Sequence, residues 1–253
     1  ATTEIYTLSL HDALPIAARD EGISREAADA WAERSHRKAC AAIMAGRFHN
    51  EIVPVEVSGR KGGTVRVERD EPPREDTSLE KLARLKTVYE DGICTAGNSS
   101  TENDGAAALV LMSGAKVREL GLCPMVRIVS HAVAAADPTL TYPAVPAAVS
   151  KSLARAHLTI DDIDLIEIQE AFAAQTLADA KLMGLTEEDC ERWVNVNGSG
   201  ISLGHPIGAT GAMRLVSLIH EMQRRGVRYG LETICGGGGQ GIAAVFERLE
   251  QGI

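Results

Sequence analysis

Residues 195–211 read Asn-Val-Asn-Gly-Ser-Gly-Ile-Ser-Leu-Gly-His-Pro-Ile-Gly-Ala-Thr-Gly, and the fold turns on how they are read. Glycines at this density let the backbone take positive φ and approach a ligand with no Cβ atoms in the way. Pro206 fixes φ after the single imidazole, His205, and holds the histidine in extended geometry. From Ala209 the pattern turns helical, with Ala212, Leu215, Val216, Ile219 and Met222 at spacings of three and four. His205 is therefore expected in a tight loop ahead of a helix N-terminus, held by its neighbours and open on one side. A glycine-rich loop alone serves equally well to pack a helix on a sheet.

Three further stretches change that balance. Residues 232–241 read Glu-Thr-Ile-Cys-Gly-Gly-Gly-Gly-Gln-Gly, which puts Cys235 at the end of an apolar strand and before a four-glycine turn. Residues 166–173 read Ile-Glu-Ile-Gln-Glu-Ala-Phe-Ala, and 95–111 read Thr-Ala-Gly-Asn-Ser-Ser-Thr-Glu-Asn-Asp-Gly-Ala-Ala-Ala-Leu-Val-Leu. In this order the four stretches resemble the thiolases, the enzymes that make and cleave 3-ketoacyl-CoA. The resemblance runs from about Glu21 to the C-terminus.

The fold class expected is α/β, because strands alternate with helices. The resemblance makes it the C-terminal half of a thiolase-like layered fold, a mixed sheet flanked by helices, plus part of a loop domain. Strands are expected at 51–57, 64–68, 126–130, 164–168, 192–196, 229–235 and 241–247. The last two must pair antiparallel, since the turn between them is too short for a crossover. Helices are expected over 24–48, from Leu79 to Tyr89, from Ser113, and over 145–156, 170–183 and 208–225. In the first, Ala28, Trp31, Ala39, Ala42 and Ile43 form an apolar face opposite Glu33, Arg34, Arg37 and Lys38.

Residues 1–16 look like the translation of a sequencing adapter and are set aside as a non-native leader. The resemblance then divides the chain into the remainder of a loop domain (17–92), the end of an N-terminal domain (93–122) and a C-terminal domain (123–253). On this reading the nucleophilic cysteine of the family, in its Cys-Gly-Ser-Gly context, belongs to a half that this chain lacks. Cys40, Cys94, Cys123 and Cys190 sit in no such context.

The whole chain excludes several classes. A net charge of −9 argues against general nucleic-acid or anionic-membrane binding. No apolar run reaches the roughly 18–20 residues that span a bilayer. Five cysteines without CxxC spacing suggest neither a disulfide framework nor a zinc site, so a reducing cytoplasm is the default.

A thiolase moves an acyl group through a cysteine thioester and works on a carbon–carbon bond beside a thioester carbonyl. That chemistry needs an activated thiol, an acid/base and donors aimed at an oxyanion. By resemblance, Cys235 is the acid/base, a thiol of ordinary pKa near ~8.5 that the site can lower further. His205 activates the nucleophile and donates to the substrate carbonyl, and the Gly237 N–H helps polarise the thioester oxygen. Gln169 stands where most of the family carries Asn or His, and its amide reaches one methylene further. Ser100, Arg74, Ala96 and Phe172 match positions along the coenzyme A arm. Asn98 and Asn103 read as turn formers, and the histidines at 36, 49, 131, 157 and 220 as structural.

Coenzyme A and acyl-CoA are implied as substrate and partner, with no permanently bound cofactor, no metal, and a homodimer or homotetramer for the parent. Between Asp137 and Pro146 the family text is replaced by Leu140-Thr-Tyr-Pro-Ala144, so acyl preference does not carry over. The competing expectation is a lipid- or CoA-binding carrier on the same fold that performs no condensation. His205 and Cys235 with its glycines favour the enzyme.

Overall fold

The computed structural model describes residues 16–59, 62–88, 92–138 and 142–250. Most of the adapter-like leader, the middle of the turn at 59–63, Tyr89 and residues 139–141 of the altered stretch lie outside the described residues.

The centre is a four-stranded mixed sheet in the order β3 (Val126–Ala135), β6 (Gln240–Arg248), β5 (Tyr229–Gly236), β4 (Leu165–Ile168). β5 and β6 pair antiparallel from Tyr229↔Glu247 to Gly236↔Gln240. Only residues 237–239 remain for the turn. Gly238 and Gly239 take φ of 80° and 79° there, and a Cβ on Gly239 would lie 2.8 Å from the carbonyl oxygens of Ala136 and Asp137. The glycine run is thus a steric requirement of a short hairpin that reaches back onto β3. β4 pairs parallel with β5, Leu165 opposite Gly230 and Ile168 opposite Thr233.

Helices cover both faces. Ala148, Val149 and Leu153 of α4 (Ala144–Ala156) pack with Leu231, Ala243 and Val245 on one side. Leu218 and Met222 of α8 (Thr210–Arg225) pack with Leu165 and Phe246 on the other. Leu218 and Met222 are almost fully buried, a burial that contributes about 1.5–3 kcal/mol each. The buried stripe of α8 is turned from the one expected: it takes in Thr210, Arg214 and Glu221, and leaves Val216 half-buried.

The remaining elements frame this core. α1 (Arg25–Met44) starts at Ser24, whose side chain accepts from the Ala27 N–H at 3.1 Å. β1 (Val55–Ser58) and β2 (Thr64–Val67) form an exposed antiparallel hairpin. The short α2 (Leu79–Ala83) and α3 (Gly114–Leu120) are capped by Ser78 and Ser113. α5 (Ala173–Leu182), α6 (Glu187–Trp193) and α7 (Gly200–Leu203) follow β4.

Two expectations are corrected. Residues 192 and 193 of the strand expected at 192–196 instead close α6, and Val194 and Val196 beyond them form only isolated bridges. Thr186 and Asp189 open α6 with a reciprocal capping box. Only Val194 bridges to Ile166, in parallel sense. The polar face expected for α1 is not all solvated either. Arg34 and Lys38 are each 8% exposed and reach Glu191 at 2.9 and 3.6 Å, because α6 ends against them.

Candidate active site

The parallel arrangement directs the site. β4, its partner β5 and the Val194 bridge run in the same direction, so the residues that follow each emerge at one carboxyl edge. Such an edge is where open α/β sheets place ligands. Gln169 leaves β4 there, its N–H bonded to the Thr233 carbonyl at 3.0 Å. Cys235 stands two residues beyond Thr233 on β5. The chain after Val194 leads through α7 to His205.

Glu170 organises this edge. Its carboxylate is fully buried and accepts from Trp31 Nε1 at 2.9 Å, Ser35 Oγ at 2.6 Å, Asn195 Nδ2 at 3.0 Å and the Ile201 N–H at 3.3 Å. It thereby ties α1, the Asn195 loop and α7 to the end of β4. Asn195 adopts φ of 46° and pairs its amide with both backbone groups of Ile168, at 2.8 and 2.9 Å. That makes it a side-chain continuation of the strand ladder. Glycine is needed at 200 because a Cβ there would collide with the Gln169 amide.

The 95–105 loop joins the edge to the histidine. The Ser100 N–H bonds the Ala171 carbonyl at 2.9 Å, the Ala173 N–H bonds the Asn98 carbonyl at 2.9 Å, and the His205 N–H bonds the Thr101 carbonyl at 2.9 Å. Ser99 also bridges to Phe172. Asn98 and Asn103 act as turn formers, accepting from the Thr95 N–H at 2.8 Å and the Thr101 hydroxyl at 2.7 Å. Ser100, Phe172, Gln169 and His205 thus come from three stretches into one neighbourhood, with Ala96 exposed on the same loop.

His205 faces an open cleft of about 690 Å³ lined by Glu102, Asn103, Asp104, Gly105 and residues 205–209. Its Nδ1 lies 2.7 Å from Thr210 Oγ1, on the fully buried first residue of α8. Burial, with Arg214 adding to it, lowers the imidazole below its usual pKa. A neutral ring fixed through Nδ1 leaves Nε2 for proton transfer. Thr210 was legible in the sequence as the threonine five residues on, but its role was not.

Cys235 behaves differently from expectation. Part of its surface is open, yet protein crowds the sulfur, and burial pushes the thiol up to about 11. A hydrogen bond from Gln175 acts against that rise and Asp179 acts with it. The thiol is therefore raised and not lowered, because a desolvated thiolate is costly. The residues acting on the sulfur are on α5, whereas the His205 ring pairs with Thr210. Gly237 lies exposed in the turn.

Arg74 is exposed in the segment after β2, and its backbone N–H bonds His36 Nδ1 at 3.2 Å. Burial lowers His36 to about 4, as befits a structural histidine. Cys94, raised to about 11 by burial, is a core thiol.

The profile described as "Thiolase, N-terminal domain" matches residues 15–115, and "Thiolase, C-terminal domain" matches residues 122–248. The chain belongs to the thiolase family. An acetyl-CoA acetyltransferase of Pseudomonas aeruginosa is 49% identical over 228 residues, 90% of this chain and 57% of that protein. The crystal structure of the Bacillus anthracis acetyl-CoA acetyltransferase superposes with a TM-score of 0.90 at 46% identity, covering 95% of this chain and 60% of that one. Human mitochondrial 3-ketoacyl-CoA thiolase superposes with a TM-score of 0.87 at 37% identity, with the same coverage. The chain spans less than two thirds of the length of these relatives.

Proposed function

We propose that the chain is part of an acyl-CoA C-acyltransferase that cleaves 3-ketoacyl-CoA by thiolysis or condenses acyl-CoA with acetyl-CoA. The observation that carries this reading is the 95–105 loop, whose backbone bonds both to the residues after Gln169 and to His205. It joins the 166–173 and 195–211 stretches, and the Gln169 N–H on the Thr233 carbonyl brings 232–241 beside them. His205 serves as the base for the nucleophilic cysteine and as a donor to the substrate carbonyl. Cys235 exchanges the α-carbon proton, and Gly237 and Gln169 supply donors to the developing oxyanion. Ser100, Ala96, Phe172 and Arg74 line the path of coenzyme A, the cation facing its phosphates. No cofactor beyond that substrate is invoked, and the assembly is a cytoplasmic homodimer or homotetramer. Residues 17–92, 93–122 and 123–253 correspond to its loop, N-terminal and C-terminal portions.

The nucleophilic Cys-Gly-Ser-Gly segment is not in these 253 residues, so the chain alone should show no thiolysis. The test is thiolysis of acetoacetyl-CoA by the protein encoded by the complete reading frame. Replacing His205 or Cys235 with Ala should cut kcat by about 100-fold or more. Undiminished turnover in both variants sinks the assignment. A carrier would bind coenzyme A in every variant and turn over in none.

A further inference from the structure

Thr210 opens α8 and is fully buried. A threonine in a helix can donate its O–H to the carbonyl four residues back, as Thr176 does to Phe172 at 3.0 Å. Thr210 does not. The Pro206 carbonyl four residues before it already accepts from the Ala209 N–H at 2.6 Å and the Thr210 N–H at 3.1 Å, which uses both lone pairs. Among the described residues, the hydroxyl's only hydrogen-bond partner is His205 Nδ1, 2.7 Å away. A hydroxyl has one proton to give and two lone pairs to receive with. A buried donor left without an acceptor is costly, whereas an unused lone pair is better tolerated. The hydroxyl proton therefore belongs on the line to Nδ1.

We propose that Thr210 is a positioning residue that donates its O–H to His205 Nδ1 and so fixes the neutral ring as the tautomer with its proton on Nε2. The ring lines the cleft beside residues 102–105, and Nε2 makes no hydrogen bond among the described residues. The proposal deepens the reading of His205 as a group of the acyl-transfer site and rests on it. Of the two tasks given to the ring, donating to the substrate carbonyl is the one its resting state is set for. Acting as base through Nε2 needs the opposite tautomer, in which Nδ1–H donates and the hydroxyl turns to accept. That turn strands the hydroxyl proton, so the base form is the minor one. Burial, with Arg214 adding to it, holds the ring below its usual pKa and keeps the neutral form in play.

The test is NMR of the 253-residue chain with 15N in its histidine rings, where long-range 1H–15N correlations separate a protonated ring nitrogen from a bare one. The spectrum is taken at about pH 8, above the ordinary pKa of the ring, and the signals lost in His205→Gln are those of His205. Wild type should show the proton on Nε2 and a bare Nδ1. His36, whose Nδ1 accepts from the Arg74 N–H at 3.2 Å, supplies the reference pattern of such a ring, and its unchanged signals show that each variant is folded. Thr210→Ser keeps the hydroxyl and should give the wild-type pattern. Thr210→Val keeps the shape without the donor, and its two nitrogen shifts should move towards each other as the second tautomer fills. A proton on Nδ1 in wild type overturns the proposal. An unmoved pattern in Thr210→Val also overturns it, since something other than the hydroxyl would then set the tautomer. If Thr210→Val unfolds, the wild-type spectrum still decides. No turnover is measured, so failure here is distinct from failure of the acyl-transfer reading, which the turnover of the His205 and Cys235 variants decides.

Discussion

Gln169 and Glu170 follow one another out of β4, both buried, at 3% and 0% exposure. Glu170 has donors from four other residues, while neither amide atom of Gln169 has a hydrogen-bond partner. Replacing a buried polar group that makes no hydrogen bond with an apolar one of similar shape costs little and can stabilise. Gln169→Met should therefore leave urea stability unchanged within about 1 kcal/mol or raise it. Glu170→Gln places an N–H among existing donors and should cost about 2–3 kcal/mol in the same titration. A large loss in Gln169→Met would show that its amide is satisfied in solution. Retained stability in Glu170→Gln would remove Glu170 from its organising place. A stability-neutral amide at the carboxyl edge is one kept for something other than folding.

At the scale of elements, the contact between α8 and the β4–β5 pair is the least conventional part of the fold. Glu167 and Glu232 are directly paired across the parallel strands, and Arg214 of α8 is the cation that acts on both. Glu51, bonded to Ser217 at 2.8 Å, and Asp70 also face this arginine. Burial raises Glu232 to about 8 and Glu51 to about 7, and Glu167 and Asp70 rise in the same direction. Carboxyls raised in the folded state bind protons that the unfolded chain has released, so stability falls as pH rises from near 4.5 to about 8. His36, lowered to about 4, opposes this only below its ordinary pKa of 6.5. The melting temperature should therefore drop between pH 6.5 and 8, and Glu232→Gln should flatten the drop and gain most at the alkaline end. A parallel pH profile in wild type and variant would count against this account.

Much of the architecture was legible because local signals agreed with it. Ser24 and Ser113 cap the helices they precede, and the glycine turn forces the β5–β6 hairpin. What was not legible depends on distant partners. Glu191 at the end of α6 draws Arg34 and Lys38 of α1 out of solvent. The quoted motifs contained Gln169, His205, Cys235 and Thr210, but not the other neighbours that set their chemistry. Thr210, Gln175, Asp179 and Arg214 are ordinary helix residues until the helices dock.

At the scale of the whole molecule, apolar side chains lie exposed along β3 and in the segment before α3. Val110 and Leu111 are 87% and 69% exposed, and Leu122, Met125, Ile128 and Val133 are exposed on and near the edge strand β3. Contiguous apolar surface beside an unpaired sheet edge favours dye binding and aggregation. The 253-residue chain should enhance the fluorescence of an apolar dye such as ANS and scatter light on concentration. Lysines at Val110 and Ile128 together should lower both signals, and unchanged signals would locate the sticky surface elsewhere.

β3 is an edge strand whose sheet partner is β6, with Val126 opposite Arg248 and Ala135 opposite Gln240. On the ribosome, β3 leaves the exit tunnel with α4 close behind it but with its strand partner β6 still untranslated. Folding of this sheet therefore waits until β6 has been made. The nascent strand must be shielded meanwhile, so expression yield should respond to chaperone supply more than to any single core substitution.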